Sequence, residues 1–397
     1  MFRKGLLVFM SLLLVTALLA GCGSSASQPA NTSQPPAKND QPAASKDPIK
    51  VGVVTSLTGP AAATGQQVAV GVKLAALEWN AKGGIGGRKI EVIVEDDQYK
   101  PSDALNAYNK IMAQKPAAMV LPTFAQLVMA LEPNVKASAI PHFTSATGTA
   151  ITKVGNPWFF RLRTNDEIMG RLMADFALKE LKSKKPGIIY ANNDYGKGGY
   201  EIIKAAMEKA GTALAAAETF NSADKDVSAQ LLKLKKTGVD LIISYSTPAD
   251  SATIALQQKQ LNLGVPFLGS PGWAVKEFFD LVKGAADGNH AVADFIPGND
   301  ERTQKWAKAI EDNFKGTPVS FVVSTNYDGA NLLFSTIEKV GTDPNKLREA
   351  LLATQNYEGI TGTYAFDSVG NGLRQAVFTK IENNSMKILK TIKGDKN

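Results

Sequence analysis

Hydrophobic positions recur along the chain in two alternating rhythms. From Ile49 every second residue is apolar (Ile49, Val51, Val53), the period of a strand. From Val68 the spacing becomes three and four (Val68, Val72, Ala75, Ala76, Trp79), the period of a helix. Thr64 and Gln67 predict a capping box at the start of that helix, and Gly83-Gly84 its end. The strand Ile90-Val92-Val94 follows, then a helix carrying Leu105, Tyr108, Ile111 and Met112 on one face, then a strand over 118–121. The rhythm resumes with strands at 187–190, 239–244 and 265–268, each set apart by a helical stretch. Such repetition predicts an α/β fold of parallel sheets flanked by helices on both faces, and the length calls for two sheets.

The first 48 residues do not share this pattern. Arg3 and Lys4 precede an apolar run over 5–20, too short to span a bilayer comfortably and ending in small residues, which predicts an export signal. Leu19-Ala20-Gly21-Cys22 resembles the lipobox of bacterial lipoproteins. That resemblance implies a signal peptide over 1–21, lipid on the Cys22 sulfur and a location outside the cytoplasm at the cell membrane. Ser, Ala, Pro, Gln and Asn dominate the stretch that follows, so 22–47 is expected to be the lipidated cysteine and a flexible linker.

Composition then excludes several kinds of chemistry. Cys22 is the single cysteine, so no intramolecular disulfide or zinc knuckle can form. The two histidines, His142 and His290, leave little room for catalysis built on a histidine base. His142 sits in an apolar strand and is expected to be structural; His290 is expected to be exposed. The formal charge of +7 comes with no long basic run, so nucleic acid is not an expected partner. Neither a P-loop nor a G-x-S-x-G elbow occurs, and Gly83-Gly84-Ile85-Gly86-Gly87 follows a helix with the wrong spacing for a dinucleotide fingerprint. No cofactor is implied. Asp96-Asp97 point to opposite strand faces and make a poor metal site, and Asp224 and Asp226 read as helix-start residues.

In open parallel sheets, ligands gather where strands end and helix N-termini aim their N–H groups outward. Six predicted strand ends carry hydroxyl-, glycine- and aromatic-rich loops. They are Ser56-Leu57-Thr58-Gly59-Pro60, Pro122-Thr123-Phe124, Thr144-Ser145-Ala146-Thr147, Asn192-Asn193-Asp194-Tyr195-Gly196, Ser244-Tyr245-Ser246-Thr247-Pro248 and Gly269-Ser270-Pro271-Gly272-Trp273. Together they suit one small-molecule cleft.

The order of several short motifs resembles the ABC-transporter substrate-binding proteins of the branched-chain amino-acid (leucine/isoleucine/valine) type. They are Ile49-Lys50-Val51-Gly52-Val53, Ser56-Leu57-Thr58-Gly59-Pro60, Asn80 through Gly87, Asp96-Asp97, Ser145-Ala146-Thr147, Phe160-Arg161, Asp194-Tyr195-Gly196 and Tyr327-Asp328-Gly329-Ala330. The resemblance implies a two-lobed type I periplasmic-binding-protein-like fold with three hinge crossovers, expected near Thr164, near Ala293 and at 357–361. The N-terminal lobe would take 48–164 and 294–358, the C-terminal lobe 165–293 and 359–397.

It further implies that Thr147, with Ser145 and Ala146, grips a ligand carboxylate. Thr123, Phe124 and Ala125 would lie alongside, although Ala125 stands where the family usually places a side-chain donor. Tyr195, Tyr245 and Ser246 would face them, and Pro271, Gly272 and Trp273 would complete the cleft. Pro271 stands where amino-acid binders carry an acid for the ligand ammonium, which favours an aromatic or aliphatic carboxylate beside a branched-chain or other hydrophobic amino acid. The implied function is a monomeric receptor delivering a small organic ligand to ABC permease subunits by hinge closure. A sensor of the same fold coupled to signalling is the alternative, and a secreted hydrolase a remote one.

Overall fold

The computed structural model describes residues 47–296, 298 and 300–393. Cys22 and the expected leader and linker lie outside the described residues. Two sheets organise the rest. The first has the order β2-β1-β3-β4-β5, all parallel: β1 (Ile49–Thr55), β2 (Ile90–Asp96), β3 (Ala118–Leu121), β4 (His142–Thr144) and β5 (Phe159–Arg161). Alternation along β3 sends Ala118 and Val120 into one core, with Val51 and Val53, and Met119 and Leu121 into another, with Val54. Both faces of the sheet are therefore covered, as the near-continuous apolar runs predict.

The second sheet is built in the same way from β6 (Pro186–Ala191), β7 (Ala216–Phe220), β8 (Leu241–Tyr245), β9 (Phe267–Gly269) and β10 (His290–Ala293). A short hairpin, β11 (Tyr357–Glu358) and β12 (Thr363–Tyr364), stands apart. β13 (Gln375–Glu382) and β14 (Ser385–Lys393) then extend the second sheet antiparallel, giving β14-β13-β10-β9-β8-β6-β7. Ile242 faces one core while Leu241, Ile243 and Tyr245 face the other.

Three expectations need correction. The helix Ala62–Ala81 starts before Thr64, and Gln67 bonds the Ala63 carbonyl, so no capping box forms. His290 lies inside β10, half-buried near Phe176, because the strand begins as soon as the turn at Gly288 closes. The third crossover is not at 357–361. Tyr364, Phe366 and Leu373 pack in the first core, and the chain returns to the edge of β5, where Gly370 O accepts from Arg161 N (2.7 Å) and Arg161 O from Gly372 N (3.0 Å). The passage to the second sheet comes at Gln375.

Where the chain passes between the sheets it is tied by buried polar groups. Arg163 pairs with Asp294 at 2.5 Å, and Thr164 Oγ1 donates to Gln375 O (2.7 Å) while accepting from Gln375 N (2.9 Å). The Gln375 amide donates to Asp294 O (2.9 Å) and Thr361 O (2.7 Å). Asp328 accepts from the Ile360 and Thr361 N–H groups, each at 2.7 Å, and burial raises its pKa to about 6. His142, the first residue of β4, is buried, with Nδ1 2.8 Å from Ile140 O and Nε2 3.0 Å from Tyr108 OH. Burial lowers its pKa to about 3, so it stays neutral and structural.

Candidate functional site

The strand-end loops of the first sheet are shaped by side chains that hold backbone. Asp96 accepts from Leu57 N (2.8 Å), Thr58 N (3.3 Å) and Thr58 Oγ1 (2.5 Å). Asp97 accepts from Ser56 Oγ (2.5 Å) and Tyr99 N (2.8 Å). The pair thus fixes the 56–58 loop and the turn that brings Tyr99 edge-on to Phe124, with ring centroids 4.8 Å apart. Among the described residues no group of His, Cys, Asp and Glu is arranged to hold a metal.

Beside Phe124 lies the loop after β4. Ser145 and Ala146 are fully buried, and Thr147 is partly exposed. The carbonyls of this loop all turn into the protein. Arg161 Nη1 donates to Ala146 O (3.1 Å) and Gly148 O (3.0 Å), Arg161 Nη2 to Gly148 O (3.1 Å), and Asp166 N to Thr147 O (3.0 Å). The N–H groups of Thr147, Gly148 and Thr149 have no acceptor among the described residues. Ala125, first residue of the helix Ala125–Ser138, adds another N–H without an acceptor there. Its methyl group lies where a Cβ on Gly148 would stand (2.7 Å), so a glycine at 148 lets loop and helix end meet. Thr123 closes the group by donating to Ser145 O at 3.3 Å. Backbone donors left without acceptors, beside carbonyls that are all engaged, are the kind of group an anion can bind.

The second sheet supplies side-chain oxygens. Tyr245 ends β8 and donates to Asp166 Oδ1 at 3.1 Å, and the Asp166 N–H donates to Thr147 O at 3.0 Å. Tyr195 lies in the first turn of the helix Asp194–Lys209, its ring 4.7 Å from that of Tyr245. Gly199 makes this possible, since a Cβ there would lie 2.3 Å from the Tyr245 ring. Burial pushes the Asp166 carboxyl above its usual range, opposed by the hydrogen bonds from Thr147 and Tyr245 and by the charges of Arg161 and Arg163. Burial and the neighbouring Asp166 also raise the Tyr195 and Tyr245 phenols, which stay protonated donors.

Thr147, Tyr195 and Tyr245, separated by up to 98 positions in sequence, thus gather about Asp166: Tyr245 on its carboxyl, Thr147 on its backbone N–H, and Tyr195 against the Tyr245 ring. Ser246 does not reach this surface. It is fully buried, bonding Ser251 Oγ at 2.8 Å and Ser270 through its backbone. Trp273 is not in a cleft either: it is fully buried between Phe267 and Phe278, with Nε1 donating to Ser244 Oγ at 3.1 Å. Gly269 leaves room for the indole to fold back, which is why a tryptophan after a glycine-rich turn turns inward. Pro271 and Gly272 are buried in the same short helical turn. Asp250 is spent on Ala223 N and the Thr247 hydroxyl, both at 2.9 Å.

The sequence reading missed Asp166, Arg161 and Tyr99 as site residues. Asp166 stands two positions after the expected first crossover, and that nearness to both lobes was the available signal. A separate hollow of about 540 Å³ in the first body, lined by Glu78, Arg302, Lys305, Trp306, Tyr327 and Tyr357 among others, shares no residue with this rim. No described helix is long and apolar enough to cross a membrane.

Residues 48–385 match the family model for periplasmic binding proteins. A leucine-, isoleucine-, valine-, threonine- and alanine-binding protein of Pseudomonas aeruginosa is 29% identical over 341 residues, covering 85% of this chain and 90% of that protein. The solved branched-chain amino acid transporter substrate-binding protein of Streptococcus pneumoniae, in complex with isoleucine, superposes with a TM-score of 0.78 at 24% identity, covering 87% of this chain and 99% of that one. A solute-binding protein from Rhodopseudomonas palustris in complex with 3,4-dihydroxybenzoic acid does so with a TM-score of 0.78 at 19% identity, covering 89% and 99%. With two parallel-stranded sheets, the second extended by an antiparallel pair, and three tied crossovers, the chain belongs to the periplasmic binding protein family.

Proposed function

We propose that this protein captures a small carboxylate with an apolar body outside the cytoplasm and presents it to ABC permease subunits, a branched-chain amino acid being the first candidate. The observation that carries this reading is the donor run of Ala125, Thr147, Gly148 and Thr149, with every neighbouring carbonyl turned away. The carboxylate would sit on these N–H groups and the Thr147 hydroxyl. The Phe124 and Tyr99 rings would flank the apolar body. An α-ammonium would pair with Asp166, the carboxyl that Tyr245 already orients, and not with a residue at position 271. A cation bound there would hold Asp166 ionised and remove the cost of its burial.

Closure follows from linkage. A solute that touches the first-sheet loops and also Tyr195 and Tyr245 binds the closed arrangement better than the open one, and shifts the equilibrium by that difference in affinity. No bond in the solute is made or broken. We further propose a monomer tethered through lipid on Cys22, with 22–47 as the tether.

Calorimetric titration of the purified protein with leucine, isoleucine, valine, alanine, benzoate and 3,4-dihydroxybenzoate tests the ligand class. Thr147→Ala should weaken the best of them about 10- to 100-fold, the worth of a hydrogen bond to a charged group, with the melting temperature of the free protein unchanged. Silence from every carboxylate offered, with neutral solutes binding instead, would end this reading. Cys22→Ser should move the protein from the membrane fraction to the medium or periplasm, and retention in the membrane would remove the anchor.

A further inference from the structure

Arg161 is a cation buried where ordinary packing gives no reason for one. It ends β5 with 1% of its surface exposed, and it forms no ion pair among the described residues. Its four side-chain hydrogen bonds go to neutral acceptors: Ala146 O, Gly148 O twice, and Thr152 Oγ1 at 3.2 Å. Its Nε is buried without a partner. The carboxylates of Asp166 and Asp367 reach it through their fields and do not touch it. Asp367 holds Arg374 at 3.2 Å and Asn371 at 3.0 Å, and Asp166 holds Tyr245. Burial lowers its pKa to about 10, which still leaves it charged at neutral pH. A buried guanidinium with no carboxylate in contact is disfavoured, and an anion brought to the neighbouring loop offsets that cost.

We propose that Arg161 is the positioning residue that makes the 146–149 loop a receptor for anions: its fork turns the Ala146 and Gly148 carbonyls inward, and its unpaired charge is completed by the solute's carboxylate. The inference rests on the reading that a carboxylate binds at Thr147. Arg161 does not touch the solute; it acts through the loop. Two carbonyls are held by one rigid planar group, and a lysine, a point charge on a flexible stem, cannot hold both in the same way.

The test uses acetate, a carboxylate without a body, so that the identity of the natural solute does not matter. The amide resonances of Thr147, Gly148 and Thr149 are followed in ¹⁵N-labelled full-length protein. Sodium acetate, acetamide and sodium chloride are titrated separately into wild type, Arg161→Lys and Arg161→Met. Wild-type amides are expected to shift with acetate and not with acetamide or chloride. Arg161→Lys should bind acetate at least tenfold more weakly, and Arg161→Met should lose the response while the second-sheet resonances stay in place. A purely structural role would leave the preference for acetate over acetamide intact. Wild-type amides indifferent to acetate would overturn the carboxylate reading and this inference together. A normal wild-type response kept within threefold by Arg161→Met would overturn the role of Arg161 alone. If the methionine variant does not fold, the lysine variant decides, and undiminished acetate affinity there overturns the proposal.

Discussion

The two rims of the site are built on opposite principles. The first-sheet rim offers backbone: N–H groups of Ala125 and of 147–149, aimed by a buried guanidinium that holds the carbonyls away. The second-sheet rim offers side chains, with Tyr195 packed on Tyr245 and Tyr245 bonded to Asp166. A backbone receptor is set by the fold and tolerates changes of side chain at the contact itself. A side-chain network is set residue by residue, and losing one member leaves its partners buried and unsatisfied. On the proposed reading, recognition of the charge common to many solutes lies on one rim and discrimination among solutes on the other.

Replacing Trp273 with Ala should cost about 4 kcal/mol of stability in denaturant unfolding, the usual price of emptying an aromatic core position. Affinity measured where the variant is folded should be retained; affinity lost ahead of stability would return Trp273 to the cleft. Asp166→Asn should weaken leucine about 100-fold, in line with truncating a buried charge pair. The same change should alter 4-methylpentanoate, which lacks the ammonium, by under tenfold. Equal losses for both solutes would mean that Asp166 only orients Tyr245.

Asp328 sharpens the contrast from outside the rim. Its folded pKa of about 6 lies above the unfolded value, so its stabilising contribution is complete below pH 4 and is lost as pH rises through 6. The stability difference between wild type and Asp328→Asn should therefore shrink by up to about 3 kcal/mol from pH 4 to pH 7, read from urea unfolding at each pH. A pH-independent difference would mean that the carboxyl is ionised throughout. The smallest effect concerns Ala125→Ser. If the helix-end N–H already does the work, an added hydroxyl should change affinity by less than threefold, and a tenfold gain would show that a side-chain donor had been missing.

The same contrast explains what could be read in advance. Strand and helix periods placed β1, β2, β3, β6, β8 and β9 because each buries alternate residues on two faces, a signal carried by adjacent positions. Thr147, Tyr195 and Tyr245 were legible as polar or aromatic residues at strand ends. The backbone donors were not, since an N–H without an acceptor leaves no trace in residue type, and Ala125 looked like a gap for that reason. Trp273 misled because the turn residue that folds its ring inward, Gly269, is the same type that marks a ligand loop. The crossing at Gln375 was hidden because residues 359–374 adhere to the first sheet through three scattered apolar residues and one edge pairing, not through a periodic run.

The amide of Gln375, at one crossing between the sheets, grips the carbonyl of Asp294 at another and that of Thr361 in the first lobe, while its backbone clasps Thr164 at the remaining crossing. One uncharged side chain thereby ties the crossings to one another. Position 375 bears on how the two sheets are joined, apart from the rim of Thr147, Tyr195 and Tyr245.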